Sequence, residues 1–290
     1  MLRRHSFPAP GRQWGRPLTD ITLSAAARSA LVNVQRTTAL TDATRERLET
    51  GRRVNRPIDD GQAFFLAQSL TGRVGALLEL KDSIGQAATA IGGTLAGIDA
   101  ISGIANQLKG IATAARSGSA ATRAAAAAQF DQLRGQIDAL AADVSFGGVR
   151  LLASPAQSLT VPFNADGSSA LTIQGQPSDA ASLGIGAAAV DFNGFAADTD
   201  IDAAIAGLDG AIAALRGSAA TLGSNAGLLN TRLGFTEDLA NALTAGAGKL
   251  VLADLNEEAA KLVSLRLSGA LGAVGLNIAA QSQRAVLQLF

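Results

Sequence analysis

The chain ends "LADLNEEAAKLVSLRLSGALGAVGLNIAAQSQRAVLQLF", and this ending limits the fold more than any other stretch. Val263, Leu267, Leu271, Val274 and Ile278 recur at steps of three and four, which is one face of an α-helix, and Ala285 and Leu289 continue it. Helices ordinarily finish on Gly or Asn, with a Lys or Arg near the last carbonyls. Here apolar residues run on through Leu287 and Leu289 to Phe290. Ordering backbone costs about 1–2 kcal/mol per residue, which a solitary amphipathic helix does not recover. The expectation is a tail that is unfolded in a dilute monomer and orders when other chains bury its stripe.

The other end has the same character. From Ile21 onward, Leu23, Ala27, Leu31, Val34 and Leu48 fall near one side of a helix. The segment "TGRRVNRPID" interrupts it, because Gly51 and Pro57 break helices. Asp59 with Gln62 three residues later reads as a capping box that opens a long helix running to about Arg116. "SGSA" is a turn, and the Ala-rich "ATRAAAAAQFDQLRGQIDALAADV" returns as a second helix. Between Phe146 and Thr199 the pattern is short and alternating, with "SLTVPF" and "ALTIQG" as strands joined through "NADGSS". Helical character resumes at Asp200, is expected to break at "GAG" after Ala245, and resumes at Lys249, with Asp254 and Glu257 as a second cap.

The fold class read from this order is mainly α. It is a long antiparallel helical hairpin or coiled-coil rod, with paired terminal helices and a small central β region. The domains follow as residues 1–18, a disordered extension; 19–58 with 249–290, a terminal-helix core; 59–145 with 200–248, a helical rod; and 146–199, a small hairpin-containing segment of the rod.

Composition narrows the function. Lys+Arg and Asp+Glu are both 24, so no basic excess points to nucleic acid or anionic lipid. No Cys and a single His exclude disulfides, thiol catalysis and Cys/His zinc sites, and no cofactor is read. Aromatics make up only 4% of the chain, which suits helices packed closely through Ala and Gly. The N-terminus is basic but lacks the apolar core of a secretory signal, and no uninterrupted apolar run reaches about 18 residues, so membrane insertion is not expected. Asp59 and Asp60 stand as a carboxylate pair, but their place just before a helix marks them as caps. "IGGTLAGIDAISG" lacks the lysine of a phosphate loop, and its glycines read as close-packing positions. No catalytic site emerges.

"LTDITLSAAARSALVNVQRTTALTDATRERLETGRRVNRPIDDGQAFFLAQSL" resembles the N-terminal region of bacterial flagellins, particularly the short alphaproteobacterial type. "FGGVRLL", Phe146 to Leu152, is similar to that family's F-N-G-x-x-L-L element, with Gly147 in place of Asn. The C-terminal stretch resembles the flagellin C-terminus, including its habit of ending on Leu or Phe. The resemblance implies a structural, secreted subunit that polymerises into the flagellar filament. Its terminal helices pair as the inner tube, so Leu23, Ala27, Leu31, Val34, Leu48, Val263, Leu267, Leu271, Val274, Ile278, Leu289 and Phe290 become packing and subunit-interface positions. The partners implied are further copies of itself, the flagellar export apparatus, a C-terminal export chaperone, and junction and cap proteins. The related hook–filament junction protein is the alternative, and an enzyme or adhesin built on the same scaffold is a third. "NQLKGIATAARSG" departs from the segment that a host receptor reads in many flagellins, since Gly110 stands where an acidic residue is expected.

Flagellins usually open Met-Thr/Ser-Asp-Ile, whereas this chain has "PLTDITLS" there. That points to translation starting at Leu18 on an alternative start codon. Trypsin digestion of the native protein should then yield no peptide containing Arg12 or Trp14, and one such peptide detected by mass spectrometry would overturn this.

Overall fold

The computed structural model describes residues 25–287; the stretch 1–18, Leu23, Leu289 and Phe290 lie outside the described residues. Helix α1 spans Ala25–Thr50, α2 Gly61–Ala115 and α3 Ala120–Asp143. Strands β1 (Ser158–Pro162) and β2 (Ala170–Gln174) follow, then a 3₁₀ turn at Asn193–Phe195, α4 (Asp198–Val251) and α5 (Leu255–Leu287). Two compact units result. One takes the described residues up to Phe64 together with those from Val251, and the other is Phe65–Leu250.

Within the second unit, α2 buries a residue at every three-then-four step: Ile84, Ala87, Ile91, Thr94, Ile98, Ile101 and onward to Ala115. On α4, Ile201, Leu208, Leu215, Leu222, Leu229 and Thr236 are buried at intervals of seven. A strict seven-residue repeat is the seam of a coiled coil. The two seams share one core with Phe130 and Ile137 of α3. Ion pairs Lys81–Glu237, Lys109–Asp209 and Arg116–Asp202 fix the direction: as α2 advances, α4 retreats. These pairs are half-exposed and contribute little energy; the seam holds the helices. Of the glycines in "IGGTLAGIDAISG", Gly97 alone is at a close approach, where an added Cβ would lie 2.7 Å from Val144 Cγ2.

Charge on α3 organises the irregular segment that follows the hairpin. Asp131, Arg134 and Asp138 share one face of the helix. Asp131 accepts the N–H groups of Ala188 (2.6 Å) and Ala189 (3.0 Å), and Asp138 accepts that of Ala180 (2.8 Å). Arg134 donates to the Ile185 carbonyl at 2.8 Å. Backbone groups that no strand partner satisfies are thus paired by side chains, which lets Ile185, Ala188 and Phe195 reach the core without a third strand. The alternating pattern expected up to Thr199 is therefore strand only at β1 and β2, which pair antiparallel with Leu159 opposite Ile173 and Val161 opposite Leu171.

At "FGGV", Phe146 and Val149 exchange N–H···O bonds of 3.0 and 2.9 Å across Gly147 (φ 56°) and Gly148 (φ 84°). A turn with both central residues at positive φ accepts Gly or Asn at its first position, so Gly147 can stand where Asn is usual.

Two sequence expectations are corrected. Helix α4 does not break at "GAG" but runs to Val251, because Ala247 is buried and packing outweighs the roughly 1 kcal/mol that each glycine costs. The cap of α2 is Asp60, whose Oδ1 accepts the Ala63 N–H at 3.0 Å. Asp59 closes the preceding turn instead, its Oδ2 accepting the N–H groups of Arg56 (2.8 Å) and Asn55 (3.0 Å), and those bonds hold its carboxyl below the usual range. Gln62 lies exposed inside the helix.

Phe130 is fully buried and meets Phe195 edge-on, with ring centroids 5.5 Å apart. Phe130→Ala should cost about 3–5 kcal/mol, read by denaturant unfolding of the full chain. A loss below about 1 kcal/mol would mean that the α3 contact is not part of a cooperative core.

Candidate assembly surface

The first unit is built on the pairing of α1 with α5. The Val251 carbonyl accepts the N–H groups of Arg53 (2.7 Å) and Val54 (3.2 Å), and the Gly51 carbonyl accepts that of Ala253 (3.0 Å). Helix α1 ends at this crossing and α5 starts from it. Asp254 caps α5, its Oδ1 accepting the N–H groups of Asn256 (2.9 Å) and Glu257 (3.3 Å), while the Glu257 side chain points into solvent.

Contacts along the pair show antiparallel packing: Arg47 meets Glu258, Thr37 lies beside Gly269 and Val34 beside Gly272. An ideal Cβ on Gly269 would lie 3.6 Å from Thr37 Cγ2, and one on Gly272 3.1 Å from Val34 Cγ2. On α1, Ala27 and Thr44 are buried, and Leu31, Val34 and Leu48 are half-buried. On α5 the half-buried positions include Leu262, Leu265, Gly269, Gly272 and Leu276.

That set is not the stripe the sequence singled out. Val263, Leu267, Leu271, Val274 and Ile278 are 66, 63, 64, 58 and 62% exposed. They form a row about 22 Å long facing away from α1. Leu23, Leu289 and Phe290 belong to the same reading but lie outside the described residues. Helix α5 thus has one face occupied and the opposite face bare.

Hydropathy reinforces this. Uninterrupted runs suggested no span, yet by mean hydropathy two helices are apolar and long enough to cross a bilayer, Gly61–Ala115 at 1.3 and Leu255–Ser282 at 1.5. The most apolar window of the first is 39% buried within the chain, whereas that of α5 has no buried residue.

Sequence reading missed Glu258. It is 6% exposed, and its Oε1 lies 3.2 Å from Arg47 Nη1. The available signal was its place four residues before Leu262, on the same face as Leu265 and Gly269.

Elsewhere, an open cleft of about 350 Å³ lies between Leu77, Phe163 and Phe235, with the Arg232 guanidinium 4.9 Å over the Phe163 ring. Asp166 at its rim is held below the usual carboxylate range by hydrogen bonds from the Ser168 backbone and hydroxyl. Among the described residues no group of three or more His, Cys, Asp or Glu could hold a metal ion.

Residues 21–156 match the sequence profile of the bacterial flagellin N-terminal helical region. Flagellin FljM of Caulobacter vibrioides is 32% identical over 275 residues, spanning 94% of this chain and 99% of its own. The chain belongs to the bacterial flagellin family. Flagellin FljK of the same organism is 32% identical with the same coverage, and the flagellin of Brucella melitensis is 25% identical over 280 residues, again covering 94% and 99%. Membership makes the protein a structural subunit of the flagellar filament, and relatives of this coverage do not favour the hook–filament junction alternative. The paired terminal helices with a bare apolar stripe are the feature of this flagellin from which its assembly can be argued.

The glycines of α5 offer a direct check. Gly272→Val should destabilise the terminal pair by about 1–3 kcal/mol, because its side chain must displace Val34. Gly275→Ala, which meets nothing within 4 Å, should stabilise it by about 1 kcal/mol. Amide exchange of α1 and α5 in assembled filaments reads both, and equal effects would contradict the packing described.

Proposed function

We propose that the filament grows by covering the outer stripe of α5 with neighbouring copies of the chain. The observation that carries this is the row Val263, Leu267, Leu271, Val274 and Ile278, large and exposed on a helix whose opposite face is already packed. Burying each such side chain is worth about 1.5–3 kcal/mol. Contacts of this kind are heterologous, so addition at one end leaves a fresh stripe and growth stays open.

In this reading residues 19–58 with 249–290 are the terminal-helix core, 59–145 with 200–248 the helical rod, and 146–199 a small hairpin-containing segment of the rod. The division into compact units near Phe64 and Val251 supports it. The chain is secreted through the flagellar export apparatus. A stripe this apolar needs cover before assembly, which supports an export chaperone on the C-terminal helix, with junction and cap proteins bounding the filament at its ends. A bilayer is the other medium that covers apolar helices, but Lys261 and Arg266 lie exposed along α5, and carrying them into hydrocarbon is costly.

The test adds purified monomer to short filament seeds and follows length by electron microscopy. Wild-type chains should extend the seeds into long filaments. Leu271→Glu with Val274→Glu should cut elongation at least tenfold while the unfolding midpoint of the Phe65–Leu250 unit stays unchanged. Normal elongation by that double variant would overturn the proposal.

A further inference from the structure

The open cleft of about 350 Å³ at the tip of the β1–β2 hairpin joins apolar surface to positive charge. Leu77, Phe163 and Phe235 line it, and Phe235 is 58% exposed. Two cations lie in the same lining. Arg232 is stacked over Phe163, and the exposed Arg73 guanidinium has no ion-pair or hydrogen-bond partner among the described residues. The acid of the lining, Asp166, is already engaged by the Ser168 backbone and hydroxyl. A cleft of this chemistry selects an apolar side chain that arrives together with a carboxylate.

The Phe65–Leu250 unit carries that combination on the loop before the 3₁₀ turn. Val190 is 81% exposed, more than any other large apolar side chain of this unit, and Asp191 beside it is exposed as well. Asp191 Oδ2 accepts the Ala187 N–H at 2.6 Å, and its Oδ1 has no hydrogen-bond partner among the described residues. Asp131 holds the loop from α3 through the Ala188 and Ala189 N–H groups, so little ordering entropy opposes its use as a contact. The outward row of α5 is the other apolar candidate for the cleft. It runs with Lys261 and Arg266, whose charge opposes Arg73 and Arg232.

One chain cannot bring loop and cleft together. Arg123 donates to the Arg116 carbonyl, and Val144 packs beside Gly97, so α3 runs antiparallel to α2. Between those two contacts Asp131, with the loop it holds, stands level with Lys109 of α2. The cleft lies at Arg73 to Leu80 on the same helix. That is roughly 30 residues away, or about 45 Å at the rise of an α-helix.

We propose that the Val190–Asp191 loop of one copy enters the Phe163 cleft of the next. Val190 packs on Leu77, Phe163 and Phe235, and the Asp191 carboxylate meets Arg73. The contact is heterologous and displaces neighbours by about 45 Å along the rod, so it repeats without closing. It goes beyond the α5 stripe, because it lies on the other unit and fixes a stagger that a continuous apolar row leaves open. An exposed ion pair alone is worth little, so the apolar contact carries the energy and the charges the choice of partner.

The chain has no cysteine, so introduced pairs report without background. Ala165 lines the cleft and serves as one anchor, with Val190 as the other. Filaments grown from seeds with Val190→Cys, Ala165→Cys chains and treated with a short bismaleimide should give a ladder of covalent oligomers on denaturing gels. An equal mixture of the two single variants should give dimers and nothing longer. Dilute monomer of the double variant should form no internal cross-link. In the double-cysteine chain, Asp191→Asn, which keeps an acceptor for Ala187, and Arg73→Gln should each slow cross-linking by about threefold or more. Filaments that give neither ladder nor dimer overturn the proposal. So does an internal cross-link in the monomer, or an unchanged rate in either charge variant. The α5 stripe is wild type in every chain, so seeded growth reads the stripe and cross-linking reads the loop.

Discussion

The Val251 carbonyl accepts two N–H groups, from Arg53 and Val54, and the Gly51 carbonyl accepts one from Ala253. This small crossing joins segments some 200 positions apart in sequence, and the terminal unit depends on it. Both connectors leave backbone groups that must find partners, and they satisfy one another as a short antiparallel bridge between Arg52 and Leu252. With the end of α1 tied to the start of α5, the two helices run side by side in opposite directions. The small residues Gly269 and Gly272 then let the helix backbones come close.

The two units solve the problem of a core nearly free of aromatics in different ways. In Phe65–Leu250 the heptad seams of α2 and α4 bury Ile and Leu against each other, and α3 adds Phe130 against Phe195. That unit builds its core within one chain. In the terminal unit the bulkier apolar row of α5 faces out, and the cover proposed for it is other copies of the chain. A structural subunit that polymerises needs this asymmetry, with one part folded by itself and one part left short of cover.

Much of this was legible in the sequence, for identifiable reasons. Helix existence follows from three- and four-residue apolar steps, and the hairpin from β-branched alternation around "NADG". The resemblance of the two ends to flagellins rests on motifs quoted directly from the chain, and the comparison over 94% of its length agrees. Local punctuation was less legible. Whether Asp59 or Asp60 caps α2 depends on which carboxylate the turn at Asn55 and Arg56 captures, and whether "GAG" breaks α4 depends on burial of Ala247. Propensity cannot rank those outcomes, because tertiary packing and local hydrogen bonds compete at about the same energy. The pinning of the 178–196 segment by Asp131, Arg134 and Asp138 was invisible for the same reason, since its partners lie 42 to 58 residues away.

Periodicity alone requires that α5 be helical and carry an apolar stripe, and that requirement needs no neighbour. It does not say which side of the helix faces its own chain. Two stripes half a turn apart are equivalent to any reading of pattern, and the bulkier one drew attention first. Tertiary structure decides it: the face that turns to α1 is the one carrying Leu262, Leu265, Gly269 and Gly272, and buried Glu258 meets Arg47, 211 positions away, on that same face. A charge pays for burial only where its partner stands, and where the partner stands is a property of the folded chain.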